Sequence, residues 1–178
     1  MPSLAYPPGV EEIFQRSSVA LSLADPGRPD MPLILVNDRF CAVTGYARQD
    51  VLGHNCRFLQ PPGGAGPVRQ RLRQFLGDQN AGNARFVIPN QTREGEPFLN
   101  LLFMAKIRSA SGSTLILGSQ FAVGTGRERA ASYQQALGED LQCLSAVLKD
   151  ADWMLLGSME TIANTVALLV RHQAEDWS

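Results

Sequence analysis

Residues 53–60 read Gly53-His54-Asn55-Cys56-Arg57-Phe58-Leu59-Gln60. From Asn55 to Gln60 they gather a thiol, a cation and two amides. On a helical turn, residues three and four apart share a face, so Cys56 lies with Leu59 and Gln60. A thiol beside apolar and amide groups suits a flat, partly polar ligand better than a metal. Read alone, a single cysteine is more often an incidental small hydrophobe on a short surface helix.

The chain around this stretch has 178 residues, enough for one domain with a core and an appendage. Apolar residues make up 44% and charged residues 19%, an ordinary balance for a soluble globular protein. The longest apolar runs are too short and too interrupted to cross a bilayer. The start, MPSLAYPPGVEE, lacks the basic opening and apolar core of a signal peptide. Cys41, Cys56 and Cys143 are odd in number and widely spaced, which fits neither a disulfide framework nor a zinc site. A cytoplasmic, reduced protein with no membrane partner is expected. Residues 127–178 hold four basic residues against eight acidic ones, within a chain whose net charge is −1. An acidic tail is a poor nucleic-acid element, because phosphate neutralisation needs Lys and Arg.

Toward the N-terminus, Pro32 to Asp38 (PLILVND) reads as a strand ending on turn-forming Asn and Asp. Phe40, Val43 and Thr44 begin a short helix stopped by Gly45, and Ala47 to Leu52 makes another turn. Ser18 to Asp25 (SVALSLAD) reads as an earlier strand, closed by Pro26-Gly27 and Pro29. Val10, Ile13 and Phe14 fall on one face of a short helix with acids in its first turn. That helix fits a mobile leader or a cap docked on the domain equally well.

Toward the C-terminus, Pro61 to Pro67 (PPGGAGP) cannot be regular helix. Val68, Leu72, Phe75 and Leu76 then repeat as an amphipathic helix, with Arg69 and Arg73 along one edge. Such arginines often mark a solvated face; beside Arg57 they suit a phosphate clamp, since guanidinium groups fork onto phosphate. Three strands follow, Arg85 to Asn90, Phe98 to Arg108 and Thr114 to Val123, with turns that make antiparallel hairpins. Alternation puts Ile88 with Asn90, Asn100 with Leu102, and Ile116 with Gly118 and Gln120. Burying Asn90, Asn100 and Gln120 unpaired is costly. A planar heterocycle edged by carbonyls and ring nitrogens would satisfy them, because an amide donates and accepts at once.

Gly124-Thr125-Gly126 reads as a hinge into a separate unit. Leu137, Leu141, Leu144 and Leu148 are spaced 4-3-4, and Leu155, Met159, Ile162, Val166 and Leu169 are spaced 4-3-4-3. These are seam spacings for two helices, broken near Asp150-Ala151-Asp152. Ala163, Ala167, Leu168 and Val170 widen the second apolar surface beyond one seam. A hairpin packed on its own sheet is one outcome; a hairpin that also builds a homodimer is favoured. The stretch is too short for a catalytic effector, so no enzyme activity is expected.

The eight residues at 53–60 resemble, position by position, the flavin-binding signature of LOV (light-oxygen-voltage) photosensors, a branch of the PAS fold. The run PLILVNDRFCAVTGYARQDVLG before it resembles the same pattern, giving a continuous likeness from Pro32 to Gln60. The resemblance covers residues 18–124 and implies an α+β fold: a five-stranded antiparallel sheet with short helices enclosing one flavin mononucleotide. Residues 1–17 would be an N-terminal cap and 125–178 a two-helix extension for dimerisation and signalling. By the same resemblance Cys56 is the photoactive thiol that adds reversibly to flavin C4a, and Gln120 faces flavin N5. Asn55 and Gln60 contact the ribityl chain and ring, Arg57 and Arg73 the phosphate, and Asn90 and Asn100 the pyrimidine edge. Arg73 is preferred to Arg69 because its distance from Arg57 agrees with the family's second arginine. Leu102 stands where many members have Phe, Ala20 and Ser22 replace bulkier or amide residues, and Met31 replaces a common Asn. These departures should tune the lifetime of the photoproduct.

The function so implied is a blue-light receptor signalling through a light-dependent homodimer, with an unknown downstream protein in trans. A PAS module binding flavin or another ligand without photochemistry is the alternative. A flavin oxidoreductase would want a glycine fingerprint between strand and helix, which is missing. A cysteine hydrolase would want a base beside the thiol, and His54 is badly placed. A histidine-kinase output at His172 is not expected.

Overall fold

The structure, a computed structural model, describes residues 5–123 and 127–156. Helix α1 (Val10–Arg16) leads into strands β1 (Ala20–Ala24) and β2 (Leu33–Val36). Helices α2 (Asp38–Thr44) and α3 (Arg48–Val51), a 3-10 turn at Cys56–Leu59 and helix α4 (Val68–Gly77) follow. Strands β3 (Asn83–Gln91), β4 (Pro97–Ser109) and β5 (Thr114–Ala122) complete the sheet before helix α5 (Arg127–Asp150) and strand β6 (Trp153–Leu155). The strand order is β2-β1-β5-β4-β3, antiparallel throughout. Helices lie on both faces of this sheet, an α+β architecture.

The period-2 alternation of the strands divides the core in two. Leu21, Leu23, Phe103, Ala105, Ile107, Leu115 and Leu117 point to one face, covered by α1 and α5. Ala20, Leu102, Met104, Ile116, Phe86 and Ile88 point to the other, covered by α2, α3 and α4. The expected face-sharing of Asn100 with Leu102, and of Ile116 with Gln120, is what the register gives.

Asn37 explains how the entry is pinned. Its Oδ1 caps α2 through Phe40 N at 3.0 Å and also accepts from Leu21 N at 3.0 Å. Its Nδ2 donates to Val19 O at 2.7 Å and Phe14 O at 3.0 Å. One buried amide thus ties α1, β1 and α2 together. Helix α1 is docked, with Val10 and Phe14 each 1% exposed. Gly9, at φ +93°, brings the backbone so close to α5 that a Cβ there would meet Val147 Cγ1 at 2.9 Å.

At the C-terminus the leucine stripe packs on its own sheet, one of the two expected outcomes, and the start of the expected second helix is replaced by a strand. Leu137, Leu141, Leu144 and Leu148, spaced as a seam, are at most 2% exposed and pack on the sheet of their own chain. Each such leucine contributes about 2 kcal/mol of burial, so packing on its own sheet accounts for the spacing of the stripe. Leu155 does not begin a second helix; it closes β6, a sixth strand added to the expected five. The chain turns at Asp152 (φ 60°), and β6 pairs Ile107 to Ser109 of β4, where β3 no longer runs alongside. Strand-edge N–H and C=O groups there would otherwise lack partners. The hinge at Gly124 to Gly126 and the seam residues Met159, Ile162, Val166 and Leu169 lie outside the described residues.

Candidate functional site

A cavity of about 170 Å³ lies between the sheet and the α4 side of the molecule. Its wall includes Asn55, Cys56, Arg57, Gln60, Arg73, Asn90, Asn100, Leu102 and Gln120. The residues given roles toward a flavin from the sequence therefore meet in one place. Arg69, Met31, Leu72 and Leu76 join them.

Cys56 opens the 3-10 turn, and Asn55 is the residue before it. Asn55 Oδ1 accepts from Arg57 N at 3.0 Å, and its Nδ2 donates to Asp30 O at 2.7 Å. Asn55 therefore shapes the loop that carries the thiol, a role its assignment as a ligand contact did not anticipate. Asp30 and Met31 both hold positive φ, 65° and 47°. Asp30 also pairs with Arg57, an exposed ion pair of the kind worth little by itself. The guanidinium has more donors than Asp30 uses, so Arg57 retains capacity for an anion.

Burial pushes the Cys56 thiol up in pKa, against smaller opposite pulls from a hydrogen bond with its own backbone N–H and then from Arg57. The thiol is therefore protonated at neutral pH. His54 is exposed and makes no hydrogen bond to it among the described residues. A resting thiolate nucleophile of the hydrolase kind is not built here.

The amides form a linked set on the sheet. Asn100 Nδ2 donates to Asn90 Oδ1 at 2.9 Å, and Asn100 Oδ1 accepts from Phe121 N at 3.2 Å. Asn90 Nδ2 donates to Pro89 O at 2.9 Å. Gln120 Nε2 donates to Ser22 Oγ at 3.2 Å, while its Oε1 is buried with no partner among the described residues. Leaving such an acceptor unmatched costs about 1–3 kcal/mol. Gly118 keeps this floor flat: a Cβ there would stand 2.6 Å from Ser22 Oγ and 3.3 Å from Gln120 Nε2. A buried orphan acceptor, spare amide valences and a side-chain-free floor fit a planar heterocycle with polar edges.

On α4, Arg69, Leu72, Arg73 and Leu76 all line the cavity. Their i, i+3, i+4, i+7 spacing is one helical stripe. Sequence reasoning preferred Arg73; the helix presents Arg69 to the same cavity, so with Arg57 three arginines line it.

The PAS domain family matches residues 27–121. The chain is similar over nearly its whole length to the crystal structure of a Rhodobacter sphaeroides LOV protein, at 31% identity and a TM-score of 0.76. That match covers 93% of this chain and 94% of the other. The chain belongs to the LOV branch of the PAS family. Among named relatives, it is 32% identical over 108 residues to a blue-light-activated histidine kinase of Rhizobium johnstonii, covering 60% of this chain and 31% of the kinase. It is 32% identical over 137 residues to blue-light-activated histidine kinase 1 of Erythrobacter litoralis, covering 74% and 37% respectively. The chain thus spans about a third of the length of these relatives. LOV domains carry flavin mononucleotide as chromophore. The donor set described above fits it.

In this LOV domain the cavity touches the C-terminal helix through one strand. Gln120 faces the cavity, and its neighbours Ser119 and Phe121 face α5. Ser119 Oγ and Tyr133 OH lie 2.6 Å apart, and the Phe121 and Tyr133 rings stack at 4.6 Å. Burial pushes the Tyr133 hydroxyl up to about 12. The described residues comprise the LOV domain and this helical extension, and none of their helices is long and apolar enough to cross a membrane.

Proposed function

We propose that this chain is a blue-light photoreceptor that holds flavin mononucleotide in the cavity between Cys56 and Gln120 and signals through a reversible Cys56–flavin C4a bond. What carries the proposal is that a protonated thiol and the buried amides of Asn90, Asn100 and Gln120 line one small cavity. The flavin supplies absorption of blue light and a ring carbon that becomes reactive when excited. Cys56 presents the sulfur and releases its proton to ring nitrogen N5. Asn90 and Asn100 orient the pyrimidine edge, and Leu102 packs against the ring. Asn55 and Gln60 border the ribityl chain, and Arg57 with Arg73 and Arg69 holds the phosphate.

Gln120 is the switch in this scheme. It faces a hydrogen-bond acceptor at N5 in darkness and a donor after light, so its amide has reason to rotate. The unpartnered Oε1 supports this, because that oxygen is free to meet a new donor. A shift there bears on Ser119, Phe121 and hence Tyr133, which biases the packing of α5. The 1–17 cap, the 18–124 domain and the 125–178 extension act as three parts. Light alters homodimerisation through the extension, and the signal passes to a cytoplasmic protein in trans.

The test is an absorption spectrum in darkness and after blue light, beside Cys56→Ala. A structured flavin band that bleaches, recovers in darkness and stays unbleached in the variant supports the proposal. A yellow protein that never bleaches leaves a flavin-binding PAS module. A colourless protein from flavin-replete cells ends the cofactor assignment. Size-exclusion chromatography of the dark and lit states tests the dimer; identical elution in both removes that part.

A further inference from the structure

Lys106 is 3% exposed, on β4 two residues beyond Met104 and on the same face, yet it does not line the cavity. A buried ammonium is costly unless it is matched. Its Nζ donates to Phe75 O at 2.8 Å and to Asp78 O, and it stands 4.8 Å from the centre of the Phe75 ring. Both carbonyls belong to the C-terminal end of α4. A helix end leaves its last carbonyls unpaired and carries the negative pole of the dipole. Helix α4 has no basic residue in its own last turn, so the sheet supplies the cation instead.

The same strand holds the connection that follows. Lys106 N donates to Gly82 O at 2.8 Å, and Arg108 Nη2 donates to Gln79 O at 3.2 Å. The C-terminal end of α4 is thus fixed to β4 at several points. At its other end lies the glycine-rich stretch 61–67, where Gly63, Gly64 and Gly66 all have positive φ. A helix anchored at one end turns about that anchor. Its cavity stripe carries Arg69 and Arg73, so a small rotation moves both guanidinium groups relative to a bound anion.

We infer that Lys106 is a positioning residue: by anchoring the C-terminal end of α4 it sets the orientation at which Arg69 and Arg73 meet the cofactor phosphate. This rests on the flavin mononucleotide assignment above. A displaced α4 acts most strongly on the phosphate end, because Arg69 and Arg73 ride on that helix while Asn90, Asn100 and Gln120 hold the ring from β3, β4 and β5.

The experiment titrates the flavin-stripped full chain with flavin mononucleotide and with riboflavin, which lacks the phosphate. Lys106→Met keeps an apolar stem over Phe75 and removes the charge. It should weaken mononucleotide binding by about tenfold and leave riboflavin binding within about twofold, the loss expected when charge-assisted phosphate contacts are misaligned. Lys106→Gln, which still donates to one carbonyl, should fall between. Equal weakening of both ligands, or no change in either, overturns the inference, since general packing damage does not discriminate between them. Should Lys106→Met fail to fold, Lys106→Gln decides by the same ratio: a wild-type preference for the mononucleotide overturns the inference. A wild-type chain that binds neither flavin overturns the cofactor assignment, and the inference with it.

Discussion

Gln120 Nε2 donates to Ser22 Oγ at 3.2 Å across β5 and β1, while Gln120 Oε1, on the same buried amide, has no partner among the described residues. The side chain is therefore held by one hydrogen bond on one side and left open on the other. An amide so placed has a low cost for exchanging its two ends, since only about 1 kcal/mol of hydrogen bonding opposes it.

Gln120→Leu follows directly. It removes the bond to Ser22 and also the orphan acceptor, two effects of opposite sign and similar size, so melting temperature should move by only a few degrees. Flavin bleaching should persist, because Cys56 is untouched. Any light-induced change in elution volume or far-ultraviolet dichroism should shrink severalfold. A variant that responds as fully as wild type would remove Gln120 from the route.

Tyr133 lies one step further along. Tyr133→Phe keeps the stack on Phe121 and deletes the hydroxyl at Ser119, a loss of about 1 kcal/mol. Its pH behaviour gives an independent check. The folded-state value of about 12 exceeds the ordinary value of 10.0, so the fold favours the neutral phenol. That contribution is fully present below pH 10 and is lost as pH rises from 10 toward 12. Wild type should therefore lose stability more steeply than Tyr133→Phe across that window, with denaturant midpoints as the readout. Parallel curves would mean that Tyr133 does not sense its burial this way.

The thiols give a third prediction. Cys143 is exposed, while Cys56 is half-buried and held protonated by its surroundings. Iodoacetamide at pH 8 should label Cys143 well before Cys56 in the dark, as mass spectrometry of peptides would read. Faster labelling of Cys56 would point to a thiolate and reopen a nucleophilic role.

The sheet was legible in the sequence because its strands alternate, and α4 because Val68, Leu72, Phe75 and Leu76 repeat at helical spacing. The cavity wall was legible because most of its polar residues cluster in one eight-residue stretch or occupy alternate strand positions. Three features were not. Leu155 fits a helical seam, and only the free edge of β4 at Ile107 to Ser109 draws it into a strand. The Asp30–Arg57 pair joins residues far apart in the chain through a loop whose positive φ values have no glycine to announce them. Lys106 shares by alternation the face of Asn100 and Leu102, but a lysine does not announce its own burial, which follows from the carbonyls of a helix end that comes to meet it.

The leucine stripe of α5 separates two accounts of the extension. Leu141 is 0% exposed and packs with Leu144 among Leu21, Leu117 and Phe103 of its own sheet. Leu141→Ala should cost about 2–5 kcal/mol, the range for truncating a buried leucine. Leu99→Ala, at a position 50% exposed, should cost under about 0.5 kcal/mol. The two accounts differ in how the larger loss depends on protein concentration. A stripe buried within one chain loses the same stability at every concentration, whereas a seam between two copies loses more when dilute, because association contributes by mass action. Denaturation of wild type and Leu141→Ala over a hundredfold range of concentration should therefore give a constant difference. A difference that widens on dilution would place the stripe at a dimer interface instead.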